Sequence, residues 1–267
     1  MNASFKSVPF QTAAQSKLQV ELAPPVARII LSHPPVNVID TLMMEELSAA
    51  LREIESHPDL IAIVLSGAGK AFSAGVDVPS HGRDAVAPML KSFHALILQL
   101  IQSQKITVAV VHGACLGGGA ELAMVCDFVY STEAASWAFP EIQLGCFPPV
   151  ACTMLAALVG HRKAVDLILT GQRFNGAEAY RMGLVNAVGG GTTLKRQVDR
   201  KLAELQKLSP VALKVAKKAM CAWDSTHFAK DLARAEKIYL EELSVSEDAA
   251  EGITAWMEKR SPSWKGR

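Results

Sequence analysis

The chain alternates between short runs of strand character and longer helical patterns. Residues 18–22 and 27–31 are apolar-rich runs separated by Pro24 and Pro25, which predicts two strands joined by a hairpin-like turn. Asp40 stands where it can cap a helix over 42–56, and His57, Pro58 and Asp59 stop that helix. Residues 60–65 are apolar without a break, the pattern of a strand buried on both faces. A glycine-bearing loop over 66–79 leads to a second helix near 84–103. A strand at 106–111, a glycine-rich loop at 113–119, a short apolar helix and another strand at 128–131 follow. Strands alternating with helices predict an α/β fold. Beyond Gly160 the pattern is helical almost throughout, over 162–169, 177–182, 194–208, 210–223 and two more helices between 228 and 259. The implied division is an α/β core over residues 1–191 and a helical C-terminal region over 192–267.

Composition narrows the class. The 267 residues are 50% hydrophobic and 20% charged, which excludes a disordered chain and allows a core that needs no metal or disulfide staples. Basic and acidic residues nearly cancel, 27 against 26, and no basic run exists, so a nucleic-acid partner is not expected. Cys115, Cys126, Cys146, Cys152 and Cys221 are odd in number and form no C-x-x-C, which predicts reduced thiols in the cytoplasm and no zinc site. Residues 1–17 hold no apolar segment of the signal-peptide kind. Residues 142–160 carry no formal charge and are long enough to span a bilayer. Gly145, Pro148 and Pro149 interrupt them, however, so a buried loop followed by a helix is predicted, with no membrane partner.

Several chemistries lack their motifs. Gly67, Ala68, Gly69 and Lys70 imitate part of a phosphate loop, but the first glycine is missing and Ala71 replaces the hydroxyl residue that would hold magnesium. No dinucleotide fingerprint, nucleophile elbow or zinc-protease motif is present. What remains is two glycine-rich loops, each after a strand, and two carboxylates in apolar surroundings. The loop at 70–77 and the triplet Gly117, Gly118 and Gly119 could bring backbone N–H groups to a developing anion, or could merely make tight turns. Glu121 is the one polar residue in an otherwise apolar helix, and Glu141 opens the uncharged stretch. Each could be a first-turn acid favoured by the helix dipole. Together, buried carboxylates with raised pKa values beside two anion-holding turns describe proton transfer next to an activated carbonyl.

The sequence resembles the enoyl-CoA hydratase/isomerase (crotonase) superfamily through Ala71 to Asp77, Gly113 to Ala123, Phe139 to Gly145, Thr170 to Val185 and the tail around Trp256 to Arg260. The resemblance implies a spiral of ββα units with helices that build trimers, often paired into hexamers. It implies an acyl-CoA thioester substrate with no other cofactor and no metal. By position, the N–H groups of Ala74 and Gly118 would form the oxyanion hole, and Glu121 and Glu141 would be the catalytic acid and base. Coenzyme A and acyl contacts would come from Ala71, Phe72, Ser73, Gly75, Val76, Asp77, Gly117, Pro140 and Phe147, with Trp256 and Lys259 closing the site, within a subunit or across a boundary.

Many hydratases of the family have a glycine-rich turn where this chain has Phe147, Pro148, Pro149, Val150 and Ala151. That departure, with Gly75 to Asp77 and Leu90 to His94, is similar to hydratases of anaerobic aromatic degradation, which hydrate cyclohexa-1,5-diene-1-carbonyl-CoA. The expected activity is therefore dienoyl-CoA hydration. A short-chain enoyl-CoA hydratase, a Δ3,Δ2-enoyl-CoA isomerase, and a catalytically silent CoA- or RNA-binding scaffold stand as alternatives. His81 and His94 could line the pocket, while Cys146 and Cys152 read as packing.

Overall fold

The computed structural model describes residues 8–9 and 16–267, with the backbone alone for 8–9 and 221–226. Strands β1 (Val8–Pro9), β2 (Leu18–Ala23) and β3 (Val26–Leu31) pair antiparallel, β2 and β3 forming the expected hairpin across the two prolines. Helix α1 (Thr41–Ser56) starts where Asp40 accepts the N–H of Met43 at 3.0 Å. It buries Met43, Met44, Leu47, Leu51 and Ile54, one stripe at helical spacing.

From β4 (Ala62–Gly67) onward the chain winds in a repeating unit. Strand β4 joins a large sheet, β5 (Ala71–Ser73) joins a small one, and α2 (Val86–Ile101) returns. The next unit repeats this with β6 (Ile106–Val111), β7 (Ala114–Leu116) and α3 (Gly118–Met124), and β8 (Phe128–Thr132) with β9 (Ser136–Ala138) begins a third. A 3-10 turn over Pro140–Leu144, then α4 (Pro149–Val159), α5 (His161–Thr170), β10 (Phe174–Asn175), α6 (Gly176–Arg181) and β11 (Ala187–Gly189) complete it. The large sheet runs β1-β2-β3-β4-β6-β8-β11, parallel from β3 onward, and the small one runs β10-β9-β7-β5. Apolar side chains of α1, α2 and α3 form one core with those of both sheets, each large one that is fully buried contributing about 1.5–3 kcal/mol. The Trp137 indole, fully buried in the small sheet, donates to Ser131 Oγ of the large one at 3.1 Å and so ties the two together.

The small sheet departs from the expectation of loops at 66–79 and 113–119. Three-residue strands are too short to show a period of two, so no local pattern announces them. The helical region starts with α7 (Gly191–Leu205), whose Leu194, Val198, Leu202 and Leu205 pack against Val26, Val64, Ile106 and Val108 on the outer face of the large sheet. Helix α8 runs unbroken over Pro210–Ile238, where the sequence predicts a helix ending at 223 and another beginning near 228. It passes into one π-helical turn, Tyr239–Leu243, before α9 (Glu247–Met257). The uncharged stretch is the 3-10 turn plus α4, and among the described residues no helix is long and apolar enough to cross a membrane.

Candidate active site

Parallel pairing of β5 with β7 fixes the site, because the loops that leave these neighbouring strands come out side by side. The first loop is anchored from below. The Asn37 amide donates to the carbonyls of Ala68, Ala71 and Phe72, and Ser73 Oγ donates to the Asn37 carbonyl at 2.7 Å. Its N–H groups are then spent one by one. Ala74 N–H donates to the Val36 carbonyl at 2.9 Å, Gly75 N–H to Ser73 Oγ at 3.1 Å, and Asp77 N–H to the Ile39 carbonyl at 3.1 Å. The bridge to Ile39 uses Gly75 O and Asp77 N and leaves Val76 N–H with no acceptor among the described residues.

Gly118 opens α3, where an N–H has no partner inside the helix. A Cβ placed on Gly118 would lie 2.6 Å from Val76 Cγ2 and 3.5 Å from Val76 N, so the two unspent N–H groups are neighbours and no side chain fits between them. The N–H of Ala74, expected as a donor, is already committed to Val36, and the uncommitted N–H of this loop is that of Val76.

Glu121 lies one turn into α3, buried, with its Oε1 accepting the N–H of Ala151 at 2.9 Å. Glu141 enters from the 3-10 turn. Its Oε1 sits where Gly117, at φ +51°, has no side chain, since a Cβ there would come within 2.5 Å. Its Oε2 is buried with no partner among the described residues. Burial raises the pKa of both acids. The N–H groups of Ala151 and Val150 pull Glu121 partly back, whereas the Glu121 charge pushes Glu141 further up. The pair therefore holds one proton more readily on Glu141.

A cleft of about 280 Å³ opens over these groups. Ala74, Gly75, Val76, Gly117, Gly118, Glu121, Pro140, Glu141, Phe147 and Trp256 all line it, as expected from the sequence. Trp256 reaches it from α9 of the same chain, which packs on the 3-10 turn bearing Glu141. Five other predicted contacts lie elsewhere. The side chains of Ala71, Phe72 and Ser73 are sealed in the core, Asp77 accepts from Ser80 Oγ, and Lys259 lies beyond α9 and is exposed. A ligand over 71–73 could meet only backbone.

His81 lines the cleft, but His94 does not; it pairs with Glu236 behind the wall. Burial pushes the Cys146 thiol up to about 11, so it is a neutral packing group at ordinary pH, whereas Cys152 is exposed on α4 and departs from the expected packing role. The side chain of Cys221 lies outside the described residues. Gln143, Arg173 and Tyr239 also line the cleft and carry no local sequence signal, because each is delivered by tertiary packing of a segment that reads as plain helix or turn. Among the described residues, no cluster of three or more His, Cys, Asp or Glu side chains could hold a metal ion.

Comparison with known proteins agrees with this architecture. The enoyl-CoA hydratase/isomerase family model matches residues 21–267. The chain is 34% identical to a cyclohexa-1,5-dienecarbonyl-CoA hydratase of Thauera aromatica over 259 residues, 96% of this chain and 99% of that one. It is 36% identical to a probable enoyl-CoA hydratase of Rhizobium meliloti over 258 residues, 94% and 98% of the two chains. A crystal structure of an enoyl-CoA hydratase from Mycobacterium avium subsp. paratuberculosis superposes with a TM-score of 0.84 at 27% identity, covering 94% of this chain and 99% of that one. With two strand-borne loops, a buried acid pair and a match along nearly its whole length, this chain belongs to the enoyl-CoA hydratase/isomerase (crotonase) family of enzymes.

Proposed function

We propose that the protein hydrates a conjugated acyl-CoA thioester, with cyclohexa-1,5-diene-1-carbonyl-CoA as its substrate. The observation that carries this reading is the placement of two buried glutamates in one cleft with the unspent N–H groups of Val76 and Gly118. The thioester oxygen rests on those two donors, each worth about 2.7–4 kcal/mol of transition-state stabilisation. Glu121, the acid held more strongly in its charged form, takes a proton from water as the hydroxyl adds to carbon. Glu141, held neutral, gives its proton to the second carbon, and the charge passing through the thioester is carried by the backbone.

The cyclic substrate is supported by the wall formed by Phe147, Pro148 and Pro149 and by the likeness to the Thauera aromatica hydratase. Trimer formation is supported by Val211, Val215 and Met220, apolar and exposed along α8. Sedimentation of the purified protein measures that assembly directly.

The test is a substrate panel in labelled water that compares the cyclic dienoyl-CoA with crotonyl-CoA. Incorporated oxygen and a preference for the cyclic compound are expected. Preference for crotonyl-CoA overturns the substrate, and isomerisation without label overturns hydration. Substituting Glu121 or Glu141 with Gln is expected to slow hydration by about a hundredfold or more.

A further inference from the structure

The deep wall of the cleft holds a polar group that the acid pair and the oxyanion donors leave unused. Tyr239 is almost fully buried, 1% exposed, yet its hydroxyl finds no nitrogen or oxygen partner among the described residues and meets only the weakly accepting thiol of Cys146. An unpaired interior phenol costs about 1–3 kcal/mol, of which a thiol repays little, and a merely structural side chain avoids that cost by being Phe. Its ring is held firmly, tilted at 60° against Phe147 with centroids 5.0 Å apart.

The backbone is specialised at the same residue. Tyr239 begins the π-helical turn, in which Ser244 N–H donates to the Tyr239 carbonyl at 2.8 Å, five residues back. Such turns are rare and occur often at functional sites. One turn earlier, Glu236 is clamped to His94 of α2 at 2.5 Å, so the entry into the π turn is fixed from a second helix. Burial raises the Tyr239 pKa, as do the Cys146 thiol and the charges of Glu141 and Glu121, so the group is a neutral phenol lying beside the acid pair. Cys146 in turn donates its N–H to the Glu141 carbonyl at 3.0 Å, which links the phenol's neighbour to the catalytic turn.

We infer that the Tyr239 hydroxyl is a positioning group of the hydration site, hydrogen-bonding the oxygen that is added to the acyl chain. The inference rests on the hydratase reading. It makes Tyr239 a third contact for that oxygen, beside Glu121 and Glu141. A wall of Phe147, Leu144 and Met89 alone offers the new hydroxyl no such partner.

The test compares Tyr239→Phe with the wild-type protein on two pairs of ligands that differ by one hydroxyl. These are 6-hydroxycyclohex-1-ene-1-carbonyl-CoA against cyclohex-1-ene-1-carbonyl-CoA, and 3-hydroxybutyryl-CoA against butyryl-CoA. Removing a neutral hydrogen bond is expected to weaken the hydroxylated member of the bound pair by about fivefold to tenfold and to leave its deoxy partner unchanged. Equal weakening of both members, as repacking of the wall would give, overturns the inference. So does a hydroxyl preference that survives in the variant. If the wild-type protein binds neither pair, the hydratase reading itself fails and the inference falls with it.

Discussion

The carboxylate of Glu121 accepts the N–H of Ala151 at 2.9 Å, and Ala151 stands in the first turn of the helix that the proline pair begins. Pro149 occupies the first helical position and has no N–H to offer, so Val150 and Ala151 are the first free donors of α4, and both hold Glu121 in its charged form. The prolines thus organise the acid pair as well as shaping the cleft.

A stability signature follows from the raised pKa values of the two acids. Between the ordinary carboxylate value of 4.5 and their raised folded values, the native state binds more protons than the unfolded chain. Stability contributed by the pair is therefore complete at low pH and is lost as pH rises through the folded values, about 7 for Glu121 and well above 4.5 for Glu141. Glu141→Gln is expected to be more heat-stable than the wild type at about pH 8, with the difference shrinking toward about pH 4. Thermal unfolding across pH measures this; a gap that widens on acidification contradicts it.

The contact between Gly118 and Val76 predicts a selective loss of activity. A methyl group at Gly118 meets Val76 Cγ2 at 2.6 Å and Phe93 Cζ at 3.2 Å, both side-chain atoms that can give way. Gly118→Ala is expected to fold, to lose a melting temperature of only a few degrees, and to lower kcat by about a hundredfold as the two donors are pushed apart. Unchanged kcat would mean that these N–H groups do not meet the thioester oxygen.

The large sheet, its covering helices and the glutamates were legible because each rests on a local pattern: the apolar run ending at Leu65, the cap at Asp40, and a lone carboxylate at Glu121. The small sheet was not, since strands of three residues have no period, and it is this sheet that aligns the two loops. The uncommitted N–H of the first loop lies two residues beyond the expected one for a related reason. Which N–H is free depends on Val36 and Ile39, partners outside the loop that the loop sequence does not reveal. Tyr239 was invisible because the π-helical turn that carries it reaches the cleft only through tertiary packing.

Helix α9 offers a second mechanical link to the site. Gly252 lies so close to the turn carrying Glu141 that a Cβ would come 2.2 Å from the Leu144 carbonyl oxygen and 3.0 Å from Gly145 N, both backbone atoms. Gly252→Ala must lift the helix or distort the turn, at a cost of about 1–3 kcal/mol of stability. Because Trp256 rides on the same helix, KM for the thioester is expected to rise together with the fall in melting temperature. Steady-state kinetics and thermal unfolding on the same preparation check both. A destabilised variant with wild-type KM would separate the helix from the site.

The hydrogen-bonded His94 and Glu236 behind the cleft predict an acid limb of opposite sign to that of the glutamates. His94 is buried on α2, its Nδ1 2.5 Å from Glu236 and its Nε2 without a partner among the described residues. Burial holds its pKa below the ordinary 6.5 and outweighs the Glu236 carboxylate, which favours the charged ring. The unfolded chain therefore takes up a proton that the native histidine refuses, and stability falls as pH drops below about 6.5. His94→Gln keeps an amide donor for Glu236 and removes the titration. Its unfolding free energy is expected to change less than that of the wild type between about pH 7 and pH 5, measured by denaturant titration. Parallel pH profiles for the two proteins would place the acid sensitivity elsewhere in the molecule.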